Sequence, residues 1–254
     1  MADAEDLLDL TGKVALVTGG SRGLGREIVH AFAARGADVI VASRRQDACD
    51  AVAEEVAAAS GREAHAIAAN VSDWDQCDAL VDAAYERTGR VDVLVNNAGM
   101  SLLYPSLDEV DERHFDKVAG LNFKGPFRLT ARIGTRMAAG DGGSIINITS
   151  IAAIRPRPEY LPYAAAKAAL NTLTEGFAHA FGPSVRVNAI QAGPFLTDIS
   201  NAWDMPAFET RAREEMALER GGEPHEIVGA ALYFASQASS FTTGAILRVD
   251  GGER

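Results

Sequence analysis

Seven short apolar segments, rich in valine and isoleucine, recur along the chain between longer segments with a helical period. Short apolar runs are typical of strands buried in a parallel sheet, and the longer pattern is typical of amphipathic helices. The runs interpreted as strands are KVALVTGG, ADVIVASR, EAHAIAANV, VDVLVNNAG, SIINITS, VRVNAIQAG and AILRVD. Because strand and helix alternate throughout, we predict an α/β fold with a doubly wound, mainly parallel, seven-stranded sheet flanked by helices.

One long segment, residues 193–224, shows neither the short apolar run of a strand nor the period of a helix. It holds three prolines and several large apolar side chains, and long loops in compact domains commonly carry binding functions. We expect it to cover a substrate, with disorder as the alternative. Residues 1–9 are expected to be flexible. No low-complexity linker or internal repeat divides the chain, so residues 1–254 are interpreted as one domain.

Composition narrows the class of ligand. The 254 residues carry a formal net charge of −11, so long-range repulsion opposes binding to nucleic acid or to an anionic membrane, and a small soluble ligand is favoured. Cys49 and Cys77 lie in separate helical segments without CxxC spacing, and neither a disulfide framework nor a metal site is predicted. The start, MADAEDLLDL, lacks a signal-peptide pattern, and no run of about 18 apolar residues follows. We therefore expect a cytoplasmic protein.

A glycine-rich turn, TGGSRGLG at residues 18–25, follows the first strand and opens the first helix. A helix start with free N–H groups is a natural site for a phosphate. Gly19, Gly23 and Gly25 are expected to leave room for a pyrophosphate against the backbone. Their spacing, GxxxGxG, differs from the common GxGxxG dinucleotide fingerprint, so the turn indicates a dinucleotide mainly through its place between strand and helix.

The end of the second strand bears on which dinucleotide is bound. An acidic residue there binds the ribose hydroxyl of NAD, whereas arginine accommodates the 2′-phosphate of NADP. This chain has Ser43, Arg44 and Arg45 at that point, with Arg22 in the glycine turn, and Asp47 is expected to lie past the strand tip. Arginine can bind a phosphate through two hydrogen bonds. We favour NADP (NADPH) over NAD; the alternative is that the two strand-end arginines only solubilise a turn.

Two tyrosines and a lysine stand in the alanine-rich run YLPYAAAKAAL, residues 160–170. Residues four apart are neighbours on a helix, so Tyr163 lies over Lys167, whereas Tyr160 has no such partner. This spacing also occurs by chance in ordinary helices. The remaining motifs decide whether Tyr163 and Lys167 are a functional pair or a chance spacing in an ordinary helix.

Five motifs, in this order along the chain, resemble those of the short-chain dehydrogenase/reductase family. They are TGGSRGLG, NNAG at 96–99, the asparagine of GLNFKGPF, the serine that ends SIINITS, and YAAAK. The resemblance extends from about residue 10 to residue 252. It implies a Rossmann-like fold, one dinucleotide-binding and catalytic domain, and hydride transfer between a nicotinamide cofactor and a carbonyl or secondary alcohol.

The resemblance also assigns roles to matching residues. Tyr163 matches the general acid or base, Lys167 its partner, Ser150 the hydroxyl that orients the substrate, and Asn122 the residue that holds a water in the proton relay. A free phenol has a pKa of about 10, and a nearby ammonium favours the phenolate, so we expect Lys167 to lower the pKa of Tyr163. The same ammonium can donate to the nicotinamide ribose. Taken without the family, Ser150 is equally well a strand-end cap and Asn122 a core residue or helix kink.

Two departures from the family pattern concern the cofactor. Asn70 stands where relatives often carry an aspartate that meets the adenine amino group, and Ala192 and Gly193 replace the usual PG before Pro194. We expect an amide oxygen to accept in place of the carboxylate. The residues expected to contact the cofactor are Gly19, Ser21, Arg22, Gly23, Leu24, Gly25, Ser43, Arg44, Arg45, Asn70, Val71, Asn97, Ala98, Gly99, Tyr163, Lys167, Pro194 and Thr197.

The expected pocket walls are residues 100–104, 151–160 (with Tyr160) and the apolar side chains of 193–224, namely Phe195, Trp203, Met205 and Phe208. Because they are largely apolar, we expect a small carbonyl or alcohol substrate. A 3-oxoacyl thioester on an acidic carrier protein is the alternative, if Arg128, Arg132 and Arg136 form a basic patch. That stripe is equally compatible with a solvated or subunit-contacting face.

A non-catalytic NADP-binding sensor and a lyase or isomerase with bound NADP are further alternatives. The resemblance implies a homotetramer or homodimer, formed through the long helices beside the active site.

Overall fold

The computed structural model describes residues 6–198, 200 and 203–254. Its centre is a seven-stranded sheet in the order β3-β2-β1-β4-β5-β6-β7, with every neighbouring pair parallel. The predicted fold class is confirmed. The strands are β1 Val14–Thr18, β2 Asp38–Ser43, β3 Ala64–Ala68, β4 Val93–Asn96, β5 Gly143–Ser150, β6 Val185–Ala192 and β7 Ile246–Val249.

Helices cover both faces of the sheet, and this explains why the central strands are mostly apolar. One core layer is formed with α1, α2 and α8, and the other with α3, α5 and α6. Every residue of β1 is buried, as expected for a strand covered on both sides. The helices are α1 Gly23–Ala34, α2 Gln46–Ser60, α3 Trp74–Thr88, α4 Glu112–Ala119, α5 Gly125–Ala138, α6 Leu161–Phe181, α7 Met205–Glu215 and α8 Val228–Ala235.

The two cysteines are free thiols buried in different core layers, Cys49 in the first and Cys77 in the second. A disulfide between them would have to cross the sheet, so their role is packing. Burial raises the pKa of both thiols, which disfavours the reactive thiolate.

The order of the strands positions the functional site. The chain continues from β1 to β2 on one side, while β4 pairs with β1 on the other. A crevice opens at such a switch point, beyond the carboxyl ends of the strands, and ligands bind there in open α/β sheets. The turns that follow β1 and β4, which carry TGGSRGLG and NNAG, therefore lie side by side.

The segment 193–224, expected to lack regular structure, contains the helix α7. Asp204 caps it by accepting a hydrogen bond from the N–H of Ala207 (3.1 Å). Phe208, Ala212 and Met216 repeat every four residues and form a small separate core. Three apolar positions among charged residues gave too weak a period to predict this helix.

Two other expectations concern the chain start and the region of residues 108–139. Residues 6–8 form a 3₁₀ helix, and Leu8 packs against the first core layer. The flexibility of residues 1–9 stays a prediction, and residues 1–5 lie outside the described part. The predicted long helical region is divided into α4 and α5 by a π-helical turn, Gly120–Lys124. Within the described residues, no helix is long and apolar enough to cross a membrane.

Candidate active site

The glycine turn is shaped by contacts inside the protein. The side-chain amide of Asn97 donates to the carbonyls of Thr18 (2.9 Å) and Gly19 (3.2 Å). A Cβ at Gly25 would lie 2.3 Å from the Gly19 carbonyl oxygen and 2.5 Å from Asn97 Nδ2. The nearest neighbours of a Cβ at Gly19 would be Asn97 and Ala98, so both glycines are required by contacts inside the protein, and room for a pyrophosphate stays a prediction.

Gly23 begins α1 and faces the segment after β6. Its φ of +52° favours glycine, and a Cβ there would lie 3.4 Å from Thr197 Cγ2. The preceding Arg22 is the N-cap residue, and its side chain makes no capping hydrogen bond with the described residues. The first N–H groups of α1 are thus available to an anion.

Two further predicted cofactor residues, Ser21 and Leu24, flank Gly23, and Leu24 packs partly on the first core layer. Pro194 lies directly after β6, and its carbonyl accepts from the N–H of Gly222 (3.0 Å). That bond ties the start of the 193–224 segment to its end.

The arginines at the end of β2 differ from one another. Arg45 forms a two-point ion pair with Asp47, which includes a 3.0 Å bond from Nε to Oδ1, and its side chain is 74% exposed. Asp47 lies past the end of β2, as expected, in the first turn of α2. Arg44 makes no ion pair with the part of the chain that the structure describes. Arg22 lies 3.9 Å from Asp198, with both side chains exposed.

The remaining strand-end residues are already engaged. The Ser43 hydroxyl lies 3.1 Å from the buried Cys49 sulfur. The Asn70 amide oxygen, which we expected to meet adenine, accepts from the hydroxyl (2.8 Å) and the N–H (3.3 Å) of Ser72. Val71 is buried, and a Cβ at Gly125 would lie 1.8 Å from its carbonyl oxygen, so α5 approaches this loop as closely as glycine allows.

The turn after β4 connects the glycine turn to the catalytic candidates. The Thr18 hydroxyl accepts from the N–H groups of Asn97 (3.0 Å) and Ala98 (3.1 Å). A Cβ at Gly99 would lie 2.9 Å from Asn122 Oδ1 and 3.4 Å from Lys167 Nζ. Gly99 therefore lets three predicted site residues lie close together. Thr18 was not among the predicted residues, because a threonine at a strand end carries no distinguishing sequence signal.

Asn122 lies in the π-helical turn and is fully buried. Its amide donates to the carbonyls of Met100 (2.8 Å) and Val118 (2.9 Å), and its oxygen accepts from the N–H of Met100 (3.3 Å). These bonds fix the loop after β4 to the helix. Single π-helical turns inside α-helices are frequent at functional sites, and here the turn brings Asn122 to Gly99.

Tyr163 and Lys167 form the predicted pair on α6, with the ammonium 5.7 Å from the centre of the tyrosine ring. Lys167 is only 3% exposed, and its Nζ donates to the carbonyl of Ile148 (2.8 Å). Burial lowers the pKa of Lys167 to about 8, because a charged ammonium is disfavoured away from water.

The pKa of Tyr163 moves in the direction opposite to our expectation. Burial raises it, and a hydrogen bond with the Ser150 hydroxyl opposes that rise. The ammonium of Lys167 lies over the ring and donates to the carbonyl of Ile148, and burial is the largest influence on the pKa of the phenol. Tyr163 is consequently a neutral phenol at neutral pH, which is the form that donates a proton.

Ser150 is both a cap and a site residue. It ends β5, and its hydroxyl accepts from the N–H of Ala152 (3.2 Å) at the start of a 3₁₀ helix. The same hydroxyl reaches Tyr163, as its effect on the phenol shows. The sequence left open whether Ser150 is a strand-end cap or the hydroxyl that orients the substrate, and these two roles are compatible.

Tyr160 packs on Tyr163, and Tyr104 contacts the segment just before it. The rings of Tyr160 and Tyr163 meet edge to face, with centroids 6.4 Å apart. Tyr104 donates to the carbonyl of Pro158 and accepts from the N–H of Leu161 (2.8 Å), the first residue of α6. Tyr104 thus holds the loop before the catalytic helix, a role that no sequence spacing could reveal.

The apolar residues expected to wall the pocket are partly used for packing. Phe195 belongs to the first core layer. Trp203 and Phe208 pack together, with ring centroids 5.1 Å apart, and Met205 packs against the same small core. These three residues hold α7 in place, and their role as a pocket wall stays a prediction.

The arginine stripe on α5 is neutralised within the protein. Arg128 pairs with Asp78, with an Nε to Oδ1 distance of 2.6 Å. Arg132 and Arg136 share Asp82, at 2.8 and 2.6 Å. The stripe is therefore not a free basic patch, and this removes the reason for expecting an acidic carrier protein there.

Fold and site together define an NAD(P)-dependent oxidoreductase, and comparison with known proteins supports this class. Residues 19–253 match the family model described as Enoyl-(Acyl carrier protein) reductase. L-rhamnose 1-dehydrogenase (NAD(P)(+)) of Azotobacter vinelandii is 38% identical over 96% of this chain and 97% of its own. The chain belongs to the short-chain dehydrogenase/reductase family.

Comparison with solved structures supports the same family. A 7α-hydroxysteroid dehydrogenase with NADH and 7-oxo glycochenodeoxycholic acid has a TM-score of 0.93 and 34% identity, covering 100% of this chain and 98% of its own. A 3-oxoacyl (acyl-carrier-protein) reductase from Agrobacterium tumefaciens C58 with NADP bound has a TM-score of 0.92 and 32% identity, covering 98% and 97%. These similar proteins differ in both cofactor and substrate.

Proposed function

We propose that this enzyme uses NADP to transfer hydride to or from a carbonyl or secondary alcohol carbon of a small substrate, with Tyr163 as the general acid or base. The observation that carries the proposal is the cluster at the sheet edge. A neutral Tyr163 phenol there lies beside the Ser150 hydroxyl and over the buried Lys167 ammonium. Buried polar groups gathered in a crevice with shifted pKa values are typical of catalytic sites.

The residues present fit a dinucleotide. The uncapped start of α1 and the left-handed Gly23 suit a pyrophosphate,. Lys167 and Gly99 border the Tyr163 site, where the ammonium can donate to a ribose. When bound, the nicotinamide supplies or accepts the hydride.

The protein's own contribution is the proton. In carbonyl reduction, the Tyr163 hydroxyl donates its proton to the substrate oxygen as negative charge develops there, and the Ser150 hydroxyl stabilises the same oxygen. In alcohol oxidation, Tyr163 must first be a phenolate. Because burial raises the pKa of Tyr163, reduction is favoured at neutral pH and oxidation requires higher pH.

The proposed preference for NADP rests mainly on Arg44. Arg45 is neutralised by Asp47, so Arg44 is the cation at the end of β2 with no ion pair among the described residues, and Arg22 is close to the same groove. A 2′-phosphate provides the anion that such a guanidinium binds through two hydrogen bonds.

Substrate and assembly are proposed more broadly. We propose a small carbonyl or alcohol rather than a carrier-bound 3-oxoacyl thioester, because the α5 arginines are already paired with aspartates. We also propose a cytoplasmic location. A homotetramer or homodimer is proposed because the aromatic Phe127 is exposed and packs with Phe177 of the neighbouring long helix. Light scattering of the purified protein tests the assembly.

The test of the proposed function is a fluorescence titration of the purified protein with NADPH and NADH, followed by addition of ketones, sugar acids and acyl thioesters. We expect tighter binding of NADPH and its oxidation by at least one member of the panel. Product formed without a change in cofactor absorbance would indicate a lyase or isomerase. Cofactor binding with no reaction of any member would favour a sensor.

A further inference from the structure

A series of side-chain hydrogen bonds crosses the core close to the candidate active site and takes no part in the proposed proton transfer. The Asn147 side chain in β5 donates through Nδ2 to the Thr174 hydroxyl in α6 (2.9 Å). Its oxygen accepts from the Asn96 side chain at the end of β4 (2.9 Å), which also donates to the Thr130 hydroxyl in α5 (2.9 Å). All four residues are buried. The series joins two strands of the sheet to two of the helices that cover it.

The hydroxyl of Thr174 is used both as an acceptor and as a donor. It accepts from Asn147 and donates to the carbonyl of Leu170, one turn earlier in α6 (2.9 Å). A buried polar group that loses its partner costs free energy, whereas replacement of both partners by apolar side chains of the same shape is nearly neutral. Stability alone therefore does not explain why polar groups occupy this part of the core.

The buried face of α6 indicates what the polar groups do there. Three of its six buried residues are alanines; the six are Ala164, Ala166, Lys167, Leu170, Thr174 and Ala178. Burial of small apolar side chains is non-directional, so it fixes the position of α6 along its own axis only weakly. A hydrogen bond, in contrast, holds its donor and acceptor atoms within a range of about 0.5 Å.

Thr174 and Lys167 bind adjacent residues of the same strand. Thr174 accepts from the side chain of Asn147, and the Lys167 ammonium donates to the carbonyl of Ile148, the next residue of β5 (2.8 Å). The two α6 residues are about two helical turns apart, so a shift of α6 along its axis displaces both by the same distance. The ammonium lies 5.7 Å from the centre of the Tyr163 ring. The bond to Thr174 thus restrains the helix that carries the catalytic pair.

We propose that the hydrogen bond from Asn147 to Thr174 sets the position of α6 along β5, and thereby holds Lys167 and Tyr163 where proton transfer requires them. Both bonded residues are fully buried, so they act through α6 and not on the substrate; they are positioning residues. A displacement of about 1 Å can lower a rate by about 10²-fold, so a small shift of α6 is sufficient. The inference rests on the proposed oxidoreductase function for its effect on turnover.

The test compares three substitutions in α6: Thr174→Val, Thr174→Ser and Thr172→Val. Valine keeps the shape of threonine without the hydroxyl, whereas serine keeps the hydroxyl. Thr172 is exposed in the same helix, so Thr172→Val is the matched control. Turnover is measured with the ketone, sugar acid or acyl thioester that wild-type enzyme converts fastest, and NADPH binding is measured by fluorescence titration.

Thr174→Val should lower kcat by about tenfold or more, because the catalytic pair is displaced. Its KM and its NADPH dissociation constant should stay within about threefold of wild type, since ground-state binding is largely kept. Thr174→Ser should restore kcat to within about threefold of wild type because it keeps the donor and the acceptor. A mere loss of folded protein would instead lower turnover and the fraction of protein that binds NADPH in step.

Hydrogen exchange followed by mass spectrometry tests, without any substrate, whether the bond holds α6. In Thr174→Val, the backbone amides of α6 should exchange at least about fivefold faster than in wild type, because local opening requires less free energy. Those of α1 and α2, which lie in the other core layer, should be unchanged. Faster exchange of all three helices in step would indicate a general structural role and overturn the inference.

Three further results would overturn the inference: wild-type kcat in Thr174→Val, unchanged exchange of its α6, or failure of Thr174→Ser to restore kcat. The proposed function is judged separately, since its failure shows as the absence of redox turnover by wild-type enzyme with every substrate tested. The exchange experiment still decides in that case whether the bond to Thr174 holds α6 on β5.

Discussion

The two sides of the candidate site, the proposed cofactor side at the glycine turn and the proposed substrate side around α7, are built on different principles. On the cofactor side, backbone atoms approach so closely that the residue type is dictated: a Cβ at Gly25 would lie 2.3 Å from a carbonyl oxygen. Around α7, the side chains are large, and their roles depend on which partners they find, as Trp203 finds Phe208 and Arg157 finds Glu215. Steric demands leave a pattern in the sequence, whereas pairings between distant charges do not.

Substitution of glycines tests this contrast, and we expect the largest effect on the free energy of unfolding from a substitution in the glycine turn. Gly25→Ala should lower the free energy of unfolding by about 1 to 3 kcal/mol, because the added methyl meets Gly19 and Asn97. Gly176→Ala is the matched control: it lies inside α6 with nothing within 4 Å of the added Cβ. It should raise the free energy of unfolding by about 0.5 to 1 kcal/mol through helix propensity.

Urea unfolding of both variants measures the difference. Similar free energies of unfolding for Gly25→Ala and Gly176→Ala would show that the glycine turn can relax. Sterics would then not explain the identity of its residues.

Substitution of the arginines at the end of β2 should have a smaller effect, which is confined to the binding of one cofactor. Arg44→Gln should weaken NADPH binding by about tenfold to a hundredfold, because a charge-assisted hydrogen bond contributes roughly 1.5 to 3 kcal/mol. NADH binding should change little, since NADH lacks the phosphate. Fluorescence titration with both cofactors measures the two dissociation constants.

The control removes the neighbouring ion pair as a unit. Arg45→Gln combined with Asp47→Asn preserves the net charge and should alter NADPH binding by no more than about threefold, because exposed ion pairs contribute little. A larger loss in this double variant than in Arg44→Gln would assign the phosphate to Arg45 instead.

Most of the fold could be predicted from the sequence, because buried parallel strands appear as short apolar runs regardless of context. All seven predicted strands are present. The helix α7 could not be predicted, since Phe208, Ala212 and Met216 pack on one another rather than on the main core. Its amphipathic stripe is consequently short.

For the candidate site, contacts between residues close together on one helix could be predicted from the sequence. The environment that distant parts of the chain create around a residue could not. The four-residue spacing correctly predicted the contact of Tyr163 with Lys167. The pKa direction of Tyr163 was predicted wrongly, because it depends on burial by the whole fold and on where the ammonium points.

The central claim, that Tyr163 supplies the proton while other residues hold the cofactor, is tested most directly by Tyr163→Phe. The variant keeps the ring that packs on Tyr160 and Lys167, so NADPH should bind within about twofold of wild type while kcat falls by about 10²- to 10⁴-fold. Tyr85→Phe, in α3 beneath Arg136, is the matched control and should keep full turnover. Retained turnover in Tyr163→Phe, or loss of NADPH binding in step with kcat, would contradict the claim.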